Sequence, residues 1–421
     1  MTKPACLALI LALASSLPSL ADWPQWLGPE RNGTSDVALA AWGPEGPSVR
    51  WKHAVGAGYS APVIAQGKVL VFHRQDADDL LQALDPTNGK VLWSHRQRST
   101  YKDDFGFDEG PRSTPTVDGD RVFTYSAEGR LTAIALASGK ELWSVDTHRR
   151  FVADDGYFGA ACSPLVVDDL VVVNVGGEKG GIVAFDRGSG ETRWTATDHE
   201  ASYSSPILHR YRGKAELLVF TREGLVALAP GTGKVRLEFR WRARIKASVN
   251  AATPILVGDQ VFLSASYGTG AVLLDVSGEA ARALWQGDRS LTNHYATSVH
   301  HRGTLFGYHG RQEAMPALRA IDAASGEVLW SVDRFGAGSI LRVGEKLLIL
   351  REAGELILAE ATPEAFQPLA RHRTAPRMLP YPALSDGLLL ARNHETLYAF
   401  ELPLAKAPST DGNASDQSSP N

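Results

Sequence analysis

The phrase "IDAASGEVLWSVD", Ile321 to Asp333, has close copies elsewhere in the chain, and that repetition limits the possible folds more than any other feature. "LDPTNGKVLWSHR" runs from Leu84 to Arg96, "IALASGKELWSVD" from Ile134 to Asp146 and "FDRGSGETRWTAT" from Phe185 to Thr197. Each has a small residue, an acidic or small residue two later, a glycine four after that, and a closing tryptophan: Ala83, Asp85, Gly89 and Trp93 in the first copy. Degenerate copies close at Leu237 and Trp285, and another, from Leu356, keeps Ala359 but has no tryptophan. The closing positions Trp93, Trp143, Trp194, Leu237, Trp285 and Trp330 are spaced 50, 51, 43, 48 and 45 residues apart. A period of that length holds several strands and their turns, the content of one propeller blade.

Within a blade the phrase reads as a strand, a tight turn opened by the acidic residue and closed by glycine at positive φ, and an outer strand carrying the tryptophan. One blade cannot bury an indole, so blades must stack, and Leu237 marks a docking position that is expected to accept a tryptophan. A second motif, of the type "STPTVDGDRVFTY", opens each unit at Ser60, Ser113, Cys162, Ser204, Ala252, Thr297, Ser339 and Tyr381, eight in all. The last unit stops at "ETLYAFEL" with Ala399 at the small position and no tryptophan after it, whereas "SVRWKHAV", Ser48 to Val55, places Trp51 ahead of the first opening. The sequence therefore predicts an all-β, eight-bladed β-propeller of four-stranded blades, closed by its own N-terminal strand so that no sheet edge is left unpaired at the seam.

Composition agrees, with 40 glycines and 23 prolines against 3 methionines. A net charge of -4 offers no basic field, which excludes nucleic acid as a partner. Residues 1–21 read as an export signal, with an apolar run from Leu7 to Leu13 and the small-residue site Ser19-Leu20-Ala21. No later segment reaches the roughly 20 apolar residues of a spanning helix. The expected product is an exported, periplasmic or extracellular monomer, a propeller over 22–402 and a disordered polar tail over 403–421. Removal of Cys6 with the signal leaves Cys162 as the sole thiol, which excludes a disulfide within the chain.

The phrase A-x-D-x-x-x-G-x-x-x-W resembles the tryptophan-docking repeat of pyrroloquinoline quinone (PQQ) dehydrogenases, a family of eight-bladed propellers. "DWPQWLGPERNG" (Asp22 to Gly33), "SYSSPIL" (Ser202 to Leu208), "ATPILVGDQVFLSASYGTGA" (Ala252 to Ala271) and "NHYATSVHHRGTLFGYHG" (Asn293 to Gly310) look like a branch of exported bacterial PQQ-binding-like repeat proteins. The resemblance implies PQQ with calcium on the ring axis, stacked between a tryptophan and a disulfide of adjacent cysteines, with an aspartate as base. This chain has no adjacent cysteine pair, and no Asp or Glu stands in a matching motif.

Residues just before each opening motif face the axial funnel, which selects Tyr59, Arg112, Tyr203, Asn250, His294, Tyr295 and Arg377 as cofactor- or ligand-binding residues. Two arginines, three tyrosines, an asparagine and a histidine suit a small anionic, planar ligand, against the alternative of a water-filled polar channel. No metal site is expected. His300 and His301 point to opposite faces of one strand, and the acidic stretches "YKDDFGFDEGPR" (Tyr101 to Arg112) and "FVADDGYFG" (Phe151 to Gly159) read as solvated loops with a capacity for partner contacts. Two functions stay open: a periplasmic binding or interaction scaffold with an unknown protein partner or a small anionic ligand, comparable to the propeller lipoprotein of the outer-membrane β-barrel assembly machinery, and a PQQ-dependent dehydrogenase of alcohols or sugars.

Overall fold

A computed structural model describes residues 21–405 apart from 212, 246, 247 and 380; the expected export signal, up to residue 20, and the tail from 406 onward lie outside the described residues. Blade 1 has the form repeated throughout, an antiparallel meander of Val63–Ala65, Lys68–Gln75, Asp78–Leu84 and Val91–Arg98 from the axis outward. Eight such sheets make the ring. The eighth contains Ala383–Ser385, Leu388–Arg392 and Thr396–Glu401 and takes Ser48–Ala54 as its outer strand, as the missing and surplus tryptophans predicted. Trp51 pairs with Ala399 there in the register that Trp93 has with Ala83. Pro403 and Ala405, expected in the tail, are held by backbone hydrogen bonds to Ala40 and Ala38.

Apolar clusters fill the seams between neighbouring blades, so stability is built from blade pairs. Each tryptophan crosses its seam. The Trp51 indole N–H donates to the Pro86 carbonyl, Trp93 to Leu136, Trp143 to Arg187 and Trp194 to Pro230, always the residue after the acidic or small position of the next phrase. The phrase glycine lies under the ring of the preceding blade: a Cβ on Gly190 would stand 2.7 Å from Trp143, at a φ of 74° that already disfavours a side chain. One motif thus supplies both halves of a joint, the indole outward and its acceptor and glycine seat inward. Trp143→Ala should cost about 3 kcal/mol in chemical denaturation. The structure reverses the expectation for Leu237. Leu237 is buried, and the Arg236 guanidinium already donates to the Val276 carbonyl (2.9 Å), the acceptor an indole would use. Leu237→Trp is therefore expected to destabilise by about 1–3 kcal/mol through overpacking.

The axis is not an open channel. The N-terminal segment after Ala21 crosses it from one end. Trp23 exchanges backbone hydrogen bonds with Ile64 of blade 1, and Pro24 accepts from Val117 of blade 2. The Arg31 guanidinium donates to the Ser163 and Pro164 carbonyls of blade 3, both at 2.9 Å. Trp26 donates to the Thr253 hydroxyl of blade 5 and packs edge-on against Tyr381 of blade 8, and Thr34–Ser35 adds a short parallel strand to blade 7. A segment that touches six blades must lie across their common axis. Trp23, Leu27 and Arg31 are each 3% exposed, so "DWPQWLGPERNG" is a plug.

Candidate functional site

In an antiparallel meander the connection into the inner strand and the turn between the second and third strands lie at one end of every blade. At that end side chains from several blades converge over the plug, and we refer to this cluster as the cup. Trp26 and Leu27 of the plug, with Ala61 and Tyr381, form its apolar floor. The Tyr381 hydroxyl donates to the Tyr295 carbonyl at 2.9 Å and so joins floor to wall.

The wall is built from three runs of contacting side chains. Tyr59 lies 5.4 Å from the His394 ring and 5.8 Å from the Arg112 guanidinium. Tyr203 packs 5.8 Å from Phe158, whose backbone N–H donates to the Tyr203 hydroxyl at 3.0 Å. Farther round, the Tyr267 hydroxyl is 2.8 Å from His294 Nε2, and the Arg311 guanidinium stands 4.8 Å over the Tyr267 ring. His294 then meets Tyr295 at 5.1 Å, and the Tyr295 hydroxyl donates to Glu352 at 2.9 Å. Burial raises the Tyr59 hydroxyl, pushes that of Tyr203 up to about 12, and lifts Tyr295 further, with the Glu352 charge adding to it. Burial also lowers His294, and it raises the Glu352 carboxyl with help from the neighbouring Glu313. The phenols and the imidazole are therefore neutral at neutral pH, able both to donate and to accept.

Five of the seven residues selected from the sequence, Tyr59, Arg112, Tyr203, His294 and Tyr295, stand in this wall. Asn250 does not face it. Its side chain is buried and donates to the Thr221, Arg222 and Trp241 carbonyls, which fastens the wall from behind. Arg377 is exposed on the rim at a φ of 56° and, among the described residues, joins none of these pairs. Sequence reasoning missed the residues contributed by the second-to-third-strand turns: Arg222, Tyr267, Arg311, Glu313, Glu352 and His394. Their signal was a polar cluster between two apolar strands, as in "HGRQEA" and "REAG".

The long loop into blade 2 is more than a solvated acidic stretch. Asp103 is buried and accepts the backbone N–H groups of Phe105, Phe107 and Asp108, each at 3.0 Å, while Arg112 pairs with it at 3.2 Å. Asp108 accepts from Gly58 and Gly110 and pairs with His394 at 2.9 Å. Burial pushes the Asp108 carboxyl up, but His394 and the two amides together outweigh it and hold the group below its usual range. His300 and His301 have separate partners, the Gly303 amide and Glu345.

Of the two arginines that suggested an anionic guest, Arg112 is matched by Asp103, whereas Arg377 stands exposed at the rim. Arg222 and Arg242 pair with Glu200, and Arg311 with Glu313. Glu223 pairs with both Arg240 and Arg242, and Asp108 with His394, so carboxylates and cations at the cup and its margin largely compensate one another. Among the described residues no group of three or more His, Cys, Asp and Glu is placed to hold a metal ion. Cys162 is buried, accepts the Asn174 amide, and has its thiol pushed up to about 11 by burial.

The profile of the family described as outer membrane protein assembly factor BamB matches residues 33–105 and 98–315. The dehydrogenase subunit of the quinone alcohol dehydrogenase of Komagataeibacter europaeus is 27% identical over 168 residues, covering 34% of this chain and 22% of that protein. Quinohemoprotein alcohol dehydrogenase ADH-IIG of Pseudomonas putida is 25% identical over 143 residues, covering 32% and 19%. The chain thus matches about a fifth of the length of these curated relatives. Among solved structures, quinohemoprotein alcohol dehydrogenase from Comamonas testosteroni superposes with a TM-score of 0.67 at 15% identity, covering 94% of this chain and 82% of that one. BamB from Moraxella catarrhalis gives 0.61 at 14%, covering 83% and 97%. At such identities the superpositions show the fold alone. The docking phrase, the eight blades it joins and a family match over more than half of the chain lead to one conclusion: this protein belongs to the BamB-type family of PQQ-like repeat β-propellers.

Proposed function

We propose that this chain is an exported binding propeller whose axial cup takes a neutral, polyhydroxylated small molecule of the alcohol or sugar class. The neutral tyrosines and His294 with Glu352, above an apolar floor, carry the proposal. Hydroxyl groups of a guest need partners that both donate and accept, and its C–H faces need aromatic rings; the cup offers both and little uncompensated positive charge. Calorimetry against a panel of alcohols, polyols and sugars tests it. Binding should weaken about tenfold or more in Glu352→Gln, because a hydrogen bond to a charged acceptor is lost. An absence of heat across the panel at millimolar concentration would remove the proposal.

The same substitution has a stability signature. Glu352 has its folded pKa raised, so its ionised form weakens the fold above the unfolded carboxylate range. Glu352→Gln should therefore be more stable than wild type at neutral pH. That gain should fade as pH falls below about 4, where the unfolded carboxyl is protonated as well.

A second reading is supported by the matched stretches of two quinone-dependent alcohol dehydrogenases: oxidation of the same class of guest with PQQ and calcium. Dye reduction by protein incubated with both, with primary alcohols and aldoses as substrates, separates the readings. Turnover would establish the oxidoreductase; guest binding without turnover would leave the binding propeller.

A further inference from the structure

Two phenylalanines beside the cup face solvent, Phe105 at 54% and Phe107 at 67% exposure. They belong to a continuous aromatic shelf. Phe105 lies 5.3 Å from Phe158 and 6.1 Å from Tyr157, Phe107 lies 6.0 Å from Phe158, and Phe158 in turn packs on Tyr203 of the cup wall. The two loops that carry these rings are held firmly. The buried Asp103 gathers three amides of the first loop, and the Tyr203 hydroxyl takes the Phe158 amide of the second. Apolar surface fixed in place before binding loses little entropy when a guest covers it.

We infer that this shelf receives an apolar appendage of the molecule whose hydroxylated head lies in the cup, so that the ligand class is an aryl or alkyl glycoside or a comparable amphipathic polyol. The inference rests on the cup reading above. Two observations choose this occupant over a protein. The shelf is continuous with the cup through Tyr203, and its exposed aromatic area is on the order of 300 Å², against about 800 Å² per partner in a stable protein interface. An aryl ring or short alkyl chain matches that area.

Titration calorimetry with methyl and phenyl glycosides, matched in pairs across gluco, galacto and manno configurations, tests the inference. For the sugar that fits the cup, the phenyl glycoside should bind about tenfold tighter than its methyl partner, a gain of about 1.4 kcal/mol. Phe105→Ser combined with Phe107→Ser should abolish that advantage and leave methyl glycoside affinity as in wild type. Both positions are exposed, and an unchanged thermal unfolding transition verifies the fold of the variant. If methyl glycosides bind and the phenyl group adds nothing, or if its advantage survives in the double variant, the shelf inference is overturned while the cup reading stands. Phenyl glycosides that bind only when both phenylalanines are present, with no methyl glycoside bound, would keep the shelf and overturn the cup. If neither series binds, both are overturned.

Discussion

Removal of residues 22–54 should cause the protein to aggregate. The deletion takes away the outer strand of blade 8, including the Trp51 joint to blade 1, and it also withdraws the plug from six inner strands. The freed edge of Thr396–Glu401 would present unpaired backbone groups to any neighbouring chain. Size-exclusion chromatography and circular dichroism read the result. A monodisperse deletion variant with cooperative unfolding would refute ring closure. Trp26→Ala with Arg31→Ala separates the two losses, since it empties the plug and keeps the eighth blade. That variant should remain soluble and lose about 3–5 kcal/mol, chiefly from the indole.

Asp103→Ala should have the next largest effect. The carboxylate is buried, accepts three amides and is paired with Arg112, whose own side chain is nearly covered. Taking one partner from a buried pair leaves an uncompensated charge, at a cost of about 3–5 kcal/mol. The loss is local, because the loop connects blades and forms no part of their sheets. Limited proteolysis should therefore cut between residues 99 and 113 well before the ring unfolds, and amide exchange at Phe105 and Phe107 should accelerate. Unchanged protection at those two amides would show that Asp103 does not organise the loop.

Almost all of the architecture could be read from the chain, because each blade repeats a two-sided joint and Trp51 and Ala399 are complementary remnants of one such joint. The plug could not. Its contacts run from residues 22–35 to six separate blades, and a local pattern of Trp, Pro and Gly does not report such distant partners. The cup was half legible for a similar reason. Positions before the opening motif follow from strand order, which found Tyr59, Tyr203 and Tyr295, but the direction of a side chain is set by what packs behind it. Asn250 turns away because three carbonyls need its amide, and Arg112 is taken by Asp103 nine residues earlier, a pairing that spacing alone does not distinguish from a free guanidinium facing the axis.

The pairing of Ser48–Ala54 with Thr396–Glu401 also sets an order of events in time. Trp51 must wait for Ala399, a partner nearly 350 positions away, while the four antiparallel strands of every other blade come from within one repeat. Contacts so remote in the chain bear the largest loop-closure entropy and form last. Ser48–Ala54 is thus the last strand to be paired, whereas Trp23 needs only Ile64 of blade 1. Closure of the ring therefore depends on residues 381–405, and a truncation there should leave seven blades with Ser48–Ala54 unpaired.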